Sequence, residues 1–187
     1  AVGYEAVLCC KQHFCSPDQL HGFERQLARE LHAEHGMWRK SNFYDASARV
    51  PLQMAWPGHI PEGMREREVV SLVDMVASFL EAGGVSDVAP LDGQSLLGPL
   101  RGEGSFRDEA FSEYLAHGVQ GPMAMLRRGR YKFNYNLGDR PELYDMESDP
   151  GEFRNLAADS SYAHIVGEMQ TALLAQWDPV AIDLQVR

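Results

Sequence analysis

Apolar residues recur at helical spacing in three stretches of the chain. In residues 71–82 they fall on one side of a helix: Leu72, Val73, Val76, Phe79 and Leu80. Gly83 and Gly84 follow directly, as glycines do where a helix ends. The same spacing predicts helices over residues 20–32 and 162–177. We expect the apolar side of the 71–82 helix to be a packing surface.

Short apolar or alternating runs predict strands between these helices. They cover residues 6–9, 52–56, 123–126, 131–135 and 143–146. Gly129 lies in the link between the third and fourth of these strands, and glycine in so short a link is typical of a β-hairpin. Strands mixed with helices predict an α/β (α+β) protein.

Alternation along residues 131–135 assigns its side chains to two faces of a sheet. Tyr131, Phe133 and Tyr135 share one face, which we expect to be the core. Lys132 and Asn134 share the other face, which we expect to point outward.

Composition narrows the classes of function. The chain has 187 residues, 44% of them hydrophobic, enough for one core with a small appendage. No apolar run approaches the ~18 residues that a membrane-spanning helix needs. The net charge of −10 argues against nucleic-acid binding, because that binding depends on Lys and Arg. A small anionic substrate is compatible with this charge.

The cysteines indicate a reducing compartment. Cys9, Cys10 and Cys15 lie close together, and an odd number at this spacing is not typical of a disulfide framework. No signal-peptide pattern opens the chain, so we expect a cytoplasmic location, although the start at Ala1 leaves the original N-terminus open.

Few residues suggest chemistry by themselves. Lys11 and His13 point the same way if the chain there is extended, which gives either an anion pocket or a solvated loop. His32 and His35 lack a third ligand, so we interpret them as polar helix-end residues rather than a metal site. The acidic residues of segment 139–152 lack the spacing of a calcium-binding EF-hand loop and are interpreted as solvated turns.

Several motifs, in order along the chain, resemble sulfatases. Residues 36–52 place Lys40 ahead of an aromatic-acid pair and an Arg-Val-Pro-Leu sequence, and Trp-Pro-Gly follows at 56–58. Further similar segments are residues 3–4, 11–13, 71–74, 92–97, 143–150 and 155–157. Residues 17–24, 177–178 and 186–187 are similar to choline sulfatases in particular. The chain is identified as a choline-sulfatase-like member of the alkaline-phosphatase-like superfamily.

The resemblance implies an activity and a fold. The activity is hydrolysis of a small sulfate ester, with choline sulfate as the expected substrate, by a formylglycine nucleophile beside Ca²⁺. Lys11 and Lys40 match the lysines that contact the sulfate, and His13 matches a histidine that positions the reacting groups. The implied fold is a partial mixed sheet flanked by helices, then a small antiparallel sheet with a C-terminal helix.

Several family elements have no counterpart in the chain. The Cys-x-Pro-x-Arg site of the nucleophile is absent, because Gln19 stands where the sequence from Cys15 should have arginine. The family's metal-binding aspartates and its Asp-His-Gly motif are not found either. We therefore expect a shortened sulfatase, in which residues 1–27 join residues 30–100 as a partial core and residues 101–187 form a C-terminal subdomain.

These departures leave two hypotheses for function. The first is an active sulfatase. The second is a catalytically inactive sulfatase remnant, or pseudoenzyme, that binds anions or a partner chain. Removal of strands from the large sheet would expose edges and apolar faces, so we also expect the chain to form homo-oligomers.

Overall fold

The computed structural model describes residues 7–8, 25–26, 35, 42–85, 89–115 and 119–186. The chain divides into two compact units, Ala1–Leu52 and Gln53–Arg187. The division near residue 100 that the sequence suggested stays a prediction. None of the helices in the described ranges is long and apolar enough to cross a membrane.

The first unit contains a short parallel strand pair and one helical turn. Strand β1 (Val7–Leu8) pairs with β2 (Arg25–Gln26), and helix α1 covers Asp45–Ala48. The predicted strand over residues 6–9 is confirmed where it is described. The predicted helix over residues 20–32 is wrong at β2, because those two residues pair with β1 instead of forming helical hydrogen bonds.

The second unit contains the remaining helices. They are α2 (Val73–Ala82), α3 (Leu97–Leu100), a 3₁₀ turn (Ser160–Tyr162), α4 (Ala163–Leu174) and α5 (Pro179–Val186). The predicted helix over residues 71–82 is confirmed as α2. It ends where Gly84 adopts a φ of 69° and the Val85 amide donates to the Leu80 carbonyl at 2.9 Å. The predicted C-terminal helix is confirmed over α4.

A four-stranded antiparallel sheet forms the centre of the second unit. Its strands are β3 (Glu109–Tyr114), β4 (Met123–Arg128), β5 (Tyr131–Asn136) and β6 (Glu142–Asp145), in the order β3-β4-β5-β6. Gly129, with a φ of 52°, begins the two-residue turn between β4 and β5, so the predicted hairpin is confirmed.

Two strand predictions differ from the structure. Strand β3 was missed because acidic residues interrupt its apolar pattern. The predicted buried strand over residues 52–56 is wrong, since these residues have no regular structure and Leu52 is exposed.

The core lies between one face of this sheet and the C-terminal helices. Its buried members are Ala124, Leu126, Phe133, Leu143, Leu156, Met169, Leu173 and Trp177. The predicted aromatic face of β5 is confirmed, because Phe133 is fully buried and Tyr131 and Tyr135 pack against the same cluster. Trp177 meets the edge of Tyr135 and donates from Nε1 to the Glu113 carboxylate at 2.8 Å.

The opposite face of the sheet is buried too, which makes the prediction for Lys132 and Asn134 wrong. The Lys132 ammonium lies 2.7 Å from Glu152 Oε1, and both side chains are only 2% exposed. Asn134 donates from Nδ2 to Glu142 Oε2 at 2.9 Å. Alternation along a strand assigns its side chains to the two faces of the sheet. It implies that one face is exposed only where other elements pack against a single side of the sheet.

Two acidic residues interpreted as solvated are buried ion-pair partners instead. Glu152 pairs with Lys132 and holds a left-handed φ of 60°, which is uncommon outside glycine. Asp145 accepts from Arg130 Nε at 2.9 Å and also accepts from Arg130 Nη2. Arg130 also reaches Glu147, so these acids stabilise the fold and are not merely solvated turns.

The ion pair between Asp145 and Arg130 should make the free energy of unfolding depend on pH in the acidic range. The hydrogen bond from Arg130 holds the pKa of Asp145 at about 2, below the ~3.9 of an unfolded chain. The pair therefore stabilises the fold above about pH 4 and is lost as the pH falls towards 2. Because Arg130 is half exposed, we expect a loss of only about 1–2 kcal/mol. Urea unfolding between pH 5 and pH 2 should show this slope, and Arg130→Gln should flatten it.

Helix α2 points its apolar side outward, contrary to the expected packing surface. Leu72 is 64% exposed and Phe79 is 65% exposed, with Val73 and Val76 also exposed. The buried residues of α2 are Asp74 and Ser78. The side of this helix that faces the rest of its unit is thus the polar one.

Residues 92–96 explain this orientation, because they lie against the polar side of α2. Asp74 accepts from the Ser71 and Gln94 amides at 2.8 and 2.9 Å. Ser78 Oγ donates to the Asp74 carbonyl and accepts from the Leu96 amide at 2.9 Å. At Gly93 an added Cβ would lie 2.2 Å from the Val73 carbonyl oxygen, so this approach requires glycine.

Candidate functional site

Lys40 lies in the segment of the sequence that leads into α1. The structure describes it on both sides of that lysine, at His35 and from Asn42 onward. Phe43 is buried and anchors the segment. Asn42 Oδ1 accepts from the Tyr44 amide at 3.0 Å, a local side-chain turn typical of asparagine where a helix begins. The segment is therefore held at its C-terminal end by packing and by a turn.

An aromatic stack joins two described residues that lie before and after Lys40 in the sequence. The rings of His35 and Tyr44 lie 4.0 Å apart with an interplanar angle of 2°. His35 adopts a left-handed φ of 56°, which is uncommon for a residue with a side chain.

The chain leaves the segment in an exposed conformation. Arg49 and Asp45 lie 3.7 Å apart across α1, but Arg49 is 80% exposed, so their ion pair contributes little to stability. Val50 and Leu52 are exposed. The buried Phe43 and the stack of His35 on Tyr44 are the contacts that hold this segment.

The Trp-Pro-Gly sequence at 56–58 is anchored in the second unit. Trp56 stacks with His59 at 4.1 Å between ring centres. The Arg101 guanidinium lies 5.6 Å from the centre of the Trp56 ring, and its Nε donates to the His59 carbonyl at 3.3 Å. This turn is thereby fastened to the end of α3.

The residues predicted to contact the sulfate lie outside the described part of the chain. These are Lys11, His13 and Lys40. Their convergence stays a prediction, as do the roles of the three cysteines. No pattern in the sequence indicated the stack of His35 on Tyr44, because these residues lie nine positions apart. That histidine was interpreted only as a polar helix-end residue.

The described residues do not supply a calcium site. Among them, no three His, Cys, Asp or Glu side chains come together in a way that could hold a metal ion. Asp145 and Glu152 are paired with Arg130 and Lys132, and Asp74 accepts backbone amides. The residues present in the described ranges therefore do not fit the calcium that the family implies, and no catalytic step is assigned to it.

Sulfatases are among the known proteins that are similar to this chain. A choline-sulfatase of Rhizobium meliloti (strain 1021) is 33% identical over 167 residues, which is 84% of this chain and 31% of that protein. Arylsulfatase K of Homo sapiens is 38% identical over 141 residues, which is 68% of this chain and 26% of that protein. The chain thus spans about a third or less of the length of these relatives.

A solved structure that is similar to this chain supports the expected fold. It is a protein in complex with its substrate D-glucosamine-2-N,6-O-disulfate, 28% identical, with a TM-score of 0.62. The superposition covers 76% of this chain and 31% of that one. The expected fold class, helices with a small antiparallel sheet as in alkaline-phosphatase-like sulfatases, is confirmed.

The family model described as "N-sulphoglucosamine sulphohydrolase, C-terminal" matches residues 33–178. This match includes Lys40, helix α2 and the whole four-stranded sheet. Because the match covers most of the sequence, this chain belongs to the sulfatase family.

Proposed function

We propose that the protein acts in the hydrolysis of sulfate esters, with choline sulfate as its substrate. The observation that carries this proposal is the family match over residues 33–178, which includes Lys40. The similarity to a choline-sulfatase over 84% of the chain supports the choice of substrate.

The three predicted contact residues suit this chemistry. Hydrolysis breaks the bond between sulfur and the ester oxygen, and water supplies a hydroxyl to sulfur and a proton to the alcohol. The ammonium groups of Lys11 and Lys40 would offset negative charge on the sulfuryl group and the leaving oxygen. The His13 imidazole can donate a hydrogen bond or pass a proton near neutral pH.

The described residues on either side of Lys40 in the sequence are in contact, because the rings of His35 and Tyr44 stack 4.0 Å apart. The nucleophile is not assigned to any residue of this chain.

Substitution of Lys40 tests the proposal. With calcium supplied, we expect the chain to release sulfate from choline sulfate. Lys40→Ala should lower kcat/KM by about 100-fold or more, because a cation at the reacting group is lost. Arg39→Ala removes the neighbouring cation, to which the resemblance assigns no role, and should leave kcat/KM within a few-fold of the native chain.

Other outcomes would contradict either the proposed substrate or the proposed activity. Faster release from an aryl sulfate than from choline sulfate would contradict the substrate but keep the activity. No release from either ester would contradict the activity and favour the inactive remnant, which the sequence Cys-Ser-Pro-Asp-Gln at 15–19 also favours. Calorimetric titration with sulfate would then show whether the chain still binds the anion and whether Lys40→Ala abolishes that binding.

A further inference from the structure

We propose that the polar face of the sheet carries a binding site for a monovalent metal cation, Na⁺ or K⁺, with Asn134 and Asn136 as ligands. The polar face is the side of β5 to which Lys132, Asn134 and Asn136 belong, opposite the aromatic face. Both proposed ligands are amide oxygens, which bind hard cations. This inference goes beyond the proposed hydrolysis and does not depend on it.

The Oδ1 atom of Asn134 is a buried acceptor that receives no hydrogen bond. Asn134 is only 2% exposed. Its Nδ2 donates to the Glu142 carboxylate at 2.9 Å, and because an ionised carboxylate only accepts, this bond fixes which end of the amide is the oxygen. Among the residues that the structure describes, none donates to that oxygen. Buried polar atoms are nearly always paired in native proteins, so this atom points to a bound group.

Asn136 adds a second oxygen of the same kind. Its Oδ1 is also enclosed, and it receives no hydrogen bond within the described ranges. Asn134 and Asn136 are two positions apart on β5, so their Cα atoms lie about 6.8 Å apart and their side chains are on the same face. The two amides can therefore reach one small ion that lies between them.

The neighbouring side chains favour a cation over other ligands. Met125 lies opposite Asn134 and Met123 lies opposite Asn136, and both methionines are buried. Two acceptor oxygens would repel an anion, and the thioethers supply no donor that could hold one. The charged group in contact with Asn134 is the Glu142 carboxylate, which attracts positive charge.

The two basic side chains of this face are directed to other acceptors. The Lys132 ammonium lies 2.7 Å from Glu152 Oε1, and Arg127 Nε donates to the Gly129 carbonyl at 2.8 Å. A water molecule could donate to both asparagine oxygens, but it would bring no charge to the carboxylate beside them. A single positive charge matches two neutral oxygens next to one carboxylate better than a divalent ion does.

Thermal unfolding of the full chain in three chloride salts tests this inference. At about 100 mM salt, the melting temperature should be about 3 °C higher in KCl or NaCl than in tetramethylammonium chloride, because only a small cation fits between the two amides and stabilises the folded state. Asn136→Leu should abolish this difference. Asn136→Asp should lower the concentration of half-maximal effect by at least about 10-fold, because it adds a negative charge to the site.

Asn155→Leu is the matched control. Asn155 Oδ1 accepts from the Leu143 and Ala157 amides at 3.1 and 2.9 Å, so its loss should lower the melting temperature equally in all three salts. Equal melting temperatures of the native chain in the three salts would overturn the inference, and so would a salt difference that Asn136→Leu retains.

Crystals grown in RbCl give a direct measurement. We expect an anomalous rubidium peak between Asn134 and Asn136. A peak there without anomalous signal would overturn the inference and assign the two oxygens to an internal water molecule.

Discussion

Lys132→Ala is expected to lower the free energy of unfolding by about 3–5 kcal/mol, the usual effect of removing one partner of a buried ion pair. The Lys132 ammonium and Glu152 Oε1 lie 2.7 Å apart, and water reaches neither side chain. Without the ammonium, the Glu152 carboxylate would stay buried without its cation. Urea unfolding at pH 7 measures the loss.

An exposed ion pair provides the control for this substitution. Arg154 and Asp159 lie 3.7 Å apart with Arg154 75% exposed, so Arg154→Ala should cost less than about 1 kcal/mol. Lys132→Met combined with Glu152→Gln removes both charges and should recover part of the stability that Lys132→Ala loses. If Lys132→Ala and Arg154→Ala lowered the free energy of unfolding equally, the buried pair would not stabilise the fold more than the exposed pair.

Phe133→Ala is expected to cost a similar amount, about 3–5 kcal/mol, for a different reason. Phe133 is fully buried in the core between the sheet and α4. Truncation would remove apolar contacts and leave a cavity that the surrounding side chains fill only in part. Thermal and urea unfolding should agree on the size of the loss.

Phe153 provides the control for this substitution, because it has the same side chain as Phe133 but is exposed. Phe153 is 76% exposed, so Phe153→Ala should change the free energy of unfolding by less than about 0.5 kcal/mol. If both alanine variants lost the same stability, burial of the β5 aromatic face would not explain the effect. If neither lost any, the described core would not be the one that stabilises the protein.

Lys132 and Phe133 also show what the sequence could predict about the sheet. Alternation placed them correctly on opposite faces of β5, and Gly129 correctly marked the hairpin. Burial of the Lys132 face was not predictable, because alternation reports side-chain direction and not what lies against each face. The pairing with Glu152 joins residues 20 positions apart, and alternation within one strand does not report such a contact.

Helix α2 and the ring stack before α1 show the same limit. Helical spacing and Gly83-Gly84 predicted α2 nearly to its ends, but the direction of its apolar side depends on residues 92–96. Lys40 was found by resemblance, whereas the stack of His35 on Tyr44 joins residues nine positions apart. Contacts between distant residues decide orientation, and a periodic pattern does not contain them.

The strand order of the sheet has a consequence for how the protein folds. Each strand from β3 to β6 pairs with the next one along the chain, so the pairing among the described residues of this sheet lies within 109–145. Contacts between sequence neighbours cost little loop-closure entropy and favour rapid folding. The tight hairpin of β4 and β5 is suited to form first, within microseconds, with β3 and β6 added at its two edges. On a nascent chain these four strands can therefore pair as soon as residues 109–145 have been synthesised.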